Sequence, residues 1–344
     1  MRLDPNGDAS SFPKRAHLPH IAGTPPDSAW FWGGHDELGR LNLLTPSRRR
    51  KATQENVLTG RTVSLNLPLN IPHPPLFGRK PFEHQITSLG PGAFDDSVGY
   101  NTQSSSQWDG FRHFADPKSG YFYNGATSQE ILPDPDDTDA EAEGSKDGGE
   151  LTVSRTLGTD AWAKHGIVGR GVLLDVYAWA EEQGRPFDPF TAYNISVLDL
   201  QACAKAYSIN FQTGDILLIR TGWTQTYLSL SSTHRVTRAQ LPLDQHAYAG
   251  LSASPEMKDF LYDNYFAAAA SDNPSLETWP VRDVEGSLHA SMLSLWGMPI
   301  GKFWDLDGLS EHCRGVGRWT FLITSCPSNV EGGVASLPNA LAMF

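Results

Sequence analysis

Apolar residues alternate along one short stretch of the chain, at Val63, Leu65, Leu67, Leu69 and Ile71. A period of two predicts a strand with one buried face. The runs GVLLDV at 171–176 and DILLIR at 215–220 are continuously apolar, which suits strands covered on both faces. Residues 266–270 and 318–325 predict two more strands, the second closed by Cys326-Pro327. Helical spacing appears elsewhere. Ser254-Pro255-Glu256 reads as an N-cap with Pro at the first helical position, followed by Met257, Phe260 and Leu261. Leu200, Cys203, Ala204 and Tyr207 form a second stripe, and 292–295 and 306–313 are shorter candidates. There is no internal repeat and no strict strand–helix alternation. The pattern predicts an α/β or α+β chain around one mixed sheet.

Composition changes this picture in three places. With 344 residues, 39% of them hydrophobic, the chain can build a sizeable core. The formal charge of −12 is concentrated: Asp134, Asp136, Asp137, Asp139, Glu141, Glu143, Asp147 and Glu150 face a single Lys146. A run so poor in apolar residues buries too little to offset its ordering entropy, so 134–150 reads as a disordered surface insertion. An acidic chain without a basic stripe argues against nucleic acid and anionic membrane as partners. Residues 1–28, rich in Pro, Gly and Ser, predict an extended arm that is mobile or lies across a partner subunit. Residues 29–344 then form one domain. Cys203, Cys313 and Cys326 are too few and too scattered for a disulfide framework or a zinc knuckle. With no apolar signal segment and no run of about 18 apolar residues, the expectation is a cytoplasmic protein.

The densest chemistry lies in QSSSQWDGFRH at 103–113. An acid (Asp109), an imidazole (His113) and two amides (Gln103, Gln107) fall within eleven residues, and each would be costly to bury unpaired. His113 is the leading general acid or base, since an unperturbed imidazole titrates near pH 6.5; the alternative is a buried His satisfied by a carbonyl. Asp109 orients His113 or caps a helix. Gln103 and Gln107 donate to a substrate carbonyl or fill volume. Trp108, Phe111, Phe114, Tyr121 and Tyr123 wall an aromatic pocket or belong to the core. The glycines at 166–171 precede a strand, whereas a dinucleotide loop must follow one. Neither a nucleophile elbow nor a P-loop is present.

Four segments together resemble the cyclase-like superfamily that includes bacterial kynurenine formamidase and isatin hydrolase, and within it a fungal branch with a degenerate metal motif. They are ELGRLNLLT at 37–45, 103–113 with Tyr123-Asn-Gly125, GDILLIRTG at 214–222, and 332–344 with Pro338-Asn-Ala-Leu. The family's metal motif, His-x-Gly-Thr-His-x-Asp-x-Pro-x-His, falls here on Gln103, Gln107, Asp109, Phe111 and His113. A later His position matches His289, and a Glu position after Pro299-Ile-Gly301 is Lys302. Glutamine is a weak ligand for Zn²⁺ and an ammonium repels it.

The resemblance implies a swivelling β/β/α fold with a mixed-sheet core and flanking helices. It also implies a homodimer or higher homo-oligomer acting on a small molecule. The leading function is a formamidase-like hydrolase or cyclase on an aromatic or polyketide-like carbonyl compound, without a cofactor, in specialised metabolism. His113 would move the proton and Asp109 orient it. Gln107, His289 and Lys302 would hold the carbonyl oxygen, with Gln103, Trp108, Phe111 and Tyr123 about the substrate. Two rivals stand. One is an arylformamidase-like enzyme holding Zn²⁺ or Mn²⁺ through Asp109, His113 and His289. The other is a non-catalytic homologue that binds a ligand or partner.

Overall fold

The computed structural model describes residues 2–132 and 157–344; the acidic run at 134–150 lies outside the described residues. The core is one nine-stranded sheet. Its strands run, edge to edge, Thr62–Ser64, Ala340–Met343, Thr320–Ser325, Ile167–Asp175, Ile216–Arg220, Ala268–Ser271, Ile300–Lys302, Gln107–Asp109 and Ala335–Ser336. The four from Ile167–Asp175 to Ile300–Lys302 pair in parallel and the outer ones antiparallel. The continuous apolar runs occupy the parallel centre, where Ile216–Arg220 and Ala268–Ser271 are buried throughout. This is the mixed α/β architecture expected from the sequence.

Side-chain caps set the starts of the helices. Ser254 accepts from the Met257 N–H and Pro255 opens Pro255–Asp263. Ser196 and Asp199 form a reciprocal capping box on Val197–Ala206. Thr45, at the end of the 37–45 segment, caps Pro46–Asn56, which packs on Ile167–Asp175. Gly39 has φ of +53°, and a Cβ there would lie 2.1 Å from the Gly297 carbonyl oxygen. Only glycine lets this segment press against the chain leading into Ile300–Lys302. Among the described residues no helix is long and apolar enough to cross a membrane.

Three expectations change. The alternation at 63–71 survives as burial, with Leu65 and Leu67 inside, but the strand stops at Ser64; Pro68 has no N–H to continue a ladder. Residues 292–295 fall in a π-helix, Ala290–Leu295. The N-terminal arm packs on its own chain. Arg15 pairs with Asp259 at 2.6 Å and its N–H donates to Asp263, while the Tyr265 hydroxyl donates to the Pro13 carbonyl. The pattern also gave no sign of the exposed hairpin Glu83–Gly90/Ala93–Gly99.

Candidate active site

The sheet itself assembles the site. Gln107–Asp109 pairs antiparallel with Ile300–Lys302, placing Lys302 opposite Gln107 and Ile300 opposite Asp109. Successive strand side chains point to opposite faces. Gln107, Asp109 and Lys302 therefore share one face, and Trp108 is turned to the other.

Asp109 is the hub and is wholly buried. Its Oδ1 accepts from Gln103 Nε2 at 2.9 Å and from Gln107 Nε2 at 2.7 Å. Its Oδ2 lies 2.6 Å from Lys302 Nζ, an ion pair outside hydrogen-bond alignment whose charge attraction does not depend on that angle. His113 Nε2 and His289 Nε2 stand 3.7 Å and 3.8 Å from the same oxygen. Burial alone would raise the Asp109 carboxyl, but His113, Lys302 and His289 outweigh it and hold it well below the usual carboxylate range. Burial pushes the Lys302 ammonium down, with Asp109 opposing.

The two imidazoles differ. Burial pushes His113 down to about 3; Asp109 opposes this, and Lys302, His289 and Arg79 reinforce it. His113 is a neutral ring at pH 7 rather than the imidazole titrating near 6.5 expected from sequence. His289 Nδ1 lies 2.5 Å from Glu277 Oε1. Glu277 also accepts the N–H groups of His289 and Leu288. Hydrogen bonding to Glu277 places an N–H on Nδ1 and leaves Nε2 as an acceptor, 3.5 Å from the Lys302 ammonium. Nothing in the sequence pattern marked Glu277, a lone acid between Leu276 and Thr278.

His113, His289, Glu277 and Lys302 floor a cavity of about 690 Å³. Its walls are largely apolar, with Phe77, Phe114, Leu243, Trp279, Val281 and Val284. Of the aromatic wall expected from Trp108, Phe111, Phe114, Tyr121 and Tyr123, Phe114 lines the cavity and the other four do not. Trp108 meets Trp304 edge to face on the far face and donates to Ser325 Oγ. Phe111 lies in the core between Tyr123 and Trp162, and the Tyr123 hydroxyl donates to Asp36. Gln103 and Gln107 do not line the cavity; their amides hold Asp109.

Asp109, His113 and His289 offer ligand atoms within 4.8 Å of one another, a His/Asp group of the kind that holds a metal. As arranged, the residues do not fit a divalent cation. The ammonium of Lys302 takes Asp109 Oδ2, the amides take Oδ1, and the glutamines stand where imidazoles would be needed.

The depressed His113 has a consequence for stability. Its folded-state pKa lies below the unfolded value of about 6.5, so the unfolded chain binds more protons between these values. The His113 contribution is complete above pH 6.5 and is lost as pH falls toward about 3. The melting temperature of the wild type is expected to fall from pH 7 to pH 4, and that of His113→Gln to fall less over the same range. Parallel curves from thermal melts would contradict this.

A family model described as "Putative cyclase" matches residues 58–278. Solved structures share the fold. A crystal structure described as a novel cyclase is 26% identical with a TM-score of 0.76, over 92% of this chain and 99% of that one. Isatin hydrolase A from Ralstonia solanacearum is 16% identical with a TM-score of 0.53, over 82% of this chain and 91% of that one. Isatin hydrolase A from Labrenzia aggregata, bound to benzyl benzoate, is 15% identical with a TM-score of 0.52, over 83% and 93%. No curated protein matches significantly. With the family model spanning well over half the sequence and the fold shared throughout, the chain belongs to the cyclase family.

Proposed function

We propose that the protein is a carbonyl-processing enzyme, hydrolysing or cyclising an aromatic compound, in which the Lys302 ammonium does electrostatic work that a metal ion would otherwise do. The observation that carries this reading is the position of Lys302 Nζ, 2.6 Å from Asp109 Oδ2 at the floor of an apolar cavity. A fixed cation there stabilises an oxyanion as it develops on the substrate carbonyl. His289, oriented by Glu277, takes the proton from the attacking water or hydroxyl through Nε2. His113, neutral at pH 7, faces the same space and directs the substrate as a hydrogen-bonding group. This moves the base from His113, the choice made from sequence, to His289. Asp109 neutralises Lys302 in the resting site, and Gln103 and Gln107 fix the carboxylate.

The reading is tested on the full-length protein with a panel of aryl formamides, isatin and aryl esters. Turnover is expected to persist in chelator, and elemental analysis is expected to find well under one equivalent of Zn²⁺ or Mn²⁺ per chain. A full equivalent that is lost in Asp109→Ala, with activity lost alongside it, would establish the metal-dependent alternative favoured by the Asp109–His113–His289 grouping. Binding without turnover across the panel would favour the non-catalytic homologue.

A further inference from the structure

The cavity contains one cation that the scheme above leaves unused. Arg79 lines the wall, half-buried, beside Phe77. Its Nη1 donates to the Gln103 carbonyl at 2.5 Å, and its Cζ stands 5.2 Å from the Phe77 ring centroid. Among the described residues, its Nε and Nη2 find no protein acceptor. Burial lowers the guanidinium pKa while Asp109 opposes the shift, and an arginine keeps its charge regardless.

The two buried carboxylates nearby are committed elsewhere. Asp109 is held by two amides and an ammonium. Glu277 is held by His289 and two backbone N–H groups. Asp244, at the rim, is exposed to solvent. The remaining N–H groups of this half-buried guanidinium are open to the cavity. A planar anion in the cavity can meet them with charge-assisted hydrogen bonds.

We propose that Arg79 anchors a carboxylate on the substrate, so that the substrate class is an aromatic carboxylate whose reacting carbonyl lies over Lys302 and His289. This rests on reading the cavity as the substrate site. The competing role for Arg79 is structural, a bolt that only holds the Gln103 carbonyl.

The test uses two probes of one shape, 2-naphthoate and neutral 2-naphthamide, titrated into the full-length protein by calorimetry. Wild type is expected to bind the carboxylate at least about tenfold more tightly than the amide, the worth of one charge-assisted contact. Arg79→Met is expected to weaken 2-naphthoate by about tenfold or more and to leave 2-naphthamide within about twofold. If Arg79→Met does not fold, Arg79→Lys keeps the charge but loses the fork, and is expected to weaken the carboxylate by about threefold. Equal loss of both probes assigns Arg79 the structural role and overturns the proposal. So does a wild type with no preference for the carboxylate, or one that binds neither probe. Charge-selective binding without turnover of any carbonyl compound fails the catalytic reading and leaves this one standing. Turnover of neutral compounds without charge selectivity does the reverse.

Discussion

Lys302→Glu is expected to lower turnover sharply, with or without added Zn²⁺. The substitution removes the cation that faces the developing oxyanion, where loss of one preorganised donor costs about 10²–10³-fold in kcat. It also sets a second carboxylate against Asp109 in a fully buried place, where two like charges cannot both ionise and one must take a proton. Lys302→Met isolates the electrostatic part, because methionine fills much of the same volume. It should lose catalysis to a similar degree. It should also lose on the order of 3–5 kcal/mol of stability, since Asp109 is then buried without its counter-charge. Initial rates and denaturant midpoints on both variants, each with and without Zn²⁺, check these outcomes. Zinc-dependent activation of Lys302→Glu above wild type would overturn the reading, because a restored carboxylate ligand would then be doing what the lysine does not. If the chain were a non-catalytic binder, neither variant would change a rate, because there would be none.

His289→Ala should cost about 10²–10⁴-fold in kcat, the usual weight of a positioned general base. His113→Ala should cost less, since His113 serves to direct the substrate. Glu277 acts through His289 and is a positioning residue. Its two oxygens accept three N–H groups, from the His289 ring, the His289 backbone and the Leu288 backbone. In Glu277→Gln one oxygen becomes an NH₂ that must face a donor. The imidazole then loses its fixed tautomer, or the turn before Ala290–Leu295 loses its acceptor. The expected result is a fall in kcat of about 10²-fold with a displaced pH–rate profile. KM should change little. A Glu277→Gln enzyme with an unmoved profile would reduce Glu277 to a structural acceptor. A His289→Ala enzyme that keeps its rate while His113→Ala loses it would return the base to His113.

Two kinds of information were present in the chain before folding. Periodicity marked the buried strands and the capped helices, because these follow from local backbone geometry and from which faces must leave water. The continuous runs at 171–176 and 215–220 became the parallel centre, and Ser254-Pro255 became a helix start. The motif at 103–113, together with His289 and Lys302, marked residues that do converge on one carboxylate. Their meeting depends on a strand pairing between positions nearly two hundred residues apart, which no local pattern encodes.

Tertiary structure decided the rest. It turned Trp108 away from the site, because a strand alternates its faces. It put Phe111 and Tyr123 in the core, left Phe114 on the cavity wall as expected, and added Phe77 and Trp279 to it. It paired His289 with Glu277, an acid without a motif, and so gave different surroundings to two histidines that look alike in sequence. It also set the protonation of His113, since burial and neighbouring charge come from the assembled fold and not from the residue. The identity of the groups was local; their partners, and therefore their chemistry, were fixed only when distant strands closed the sheet.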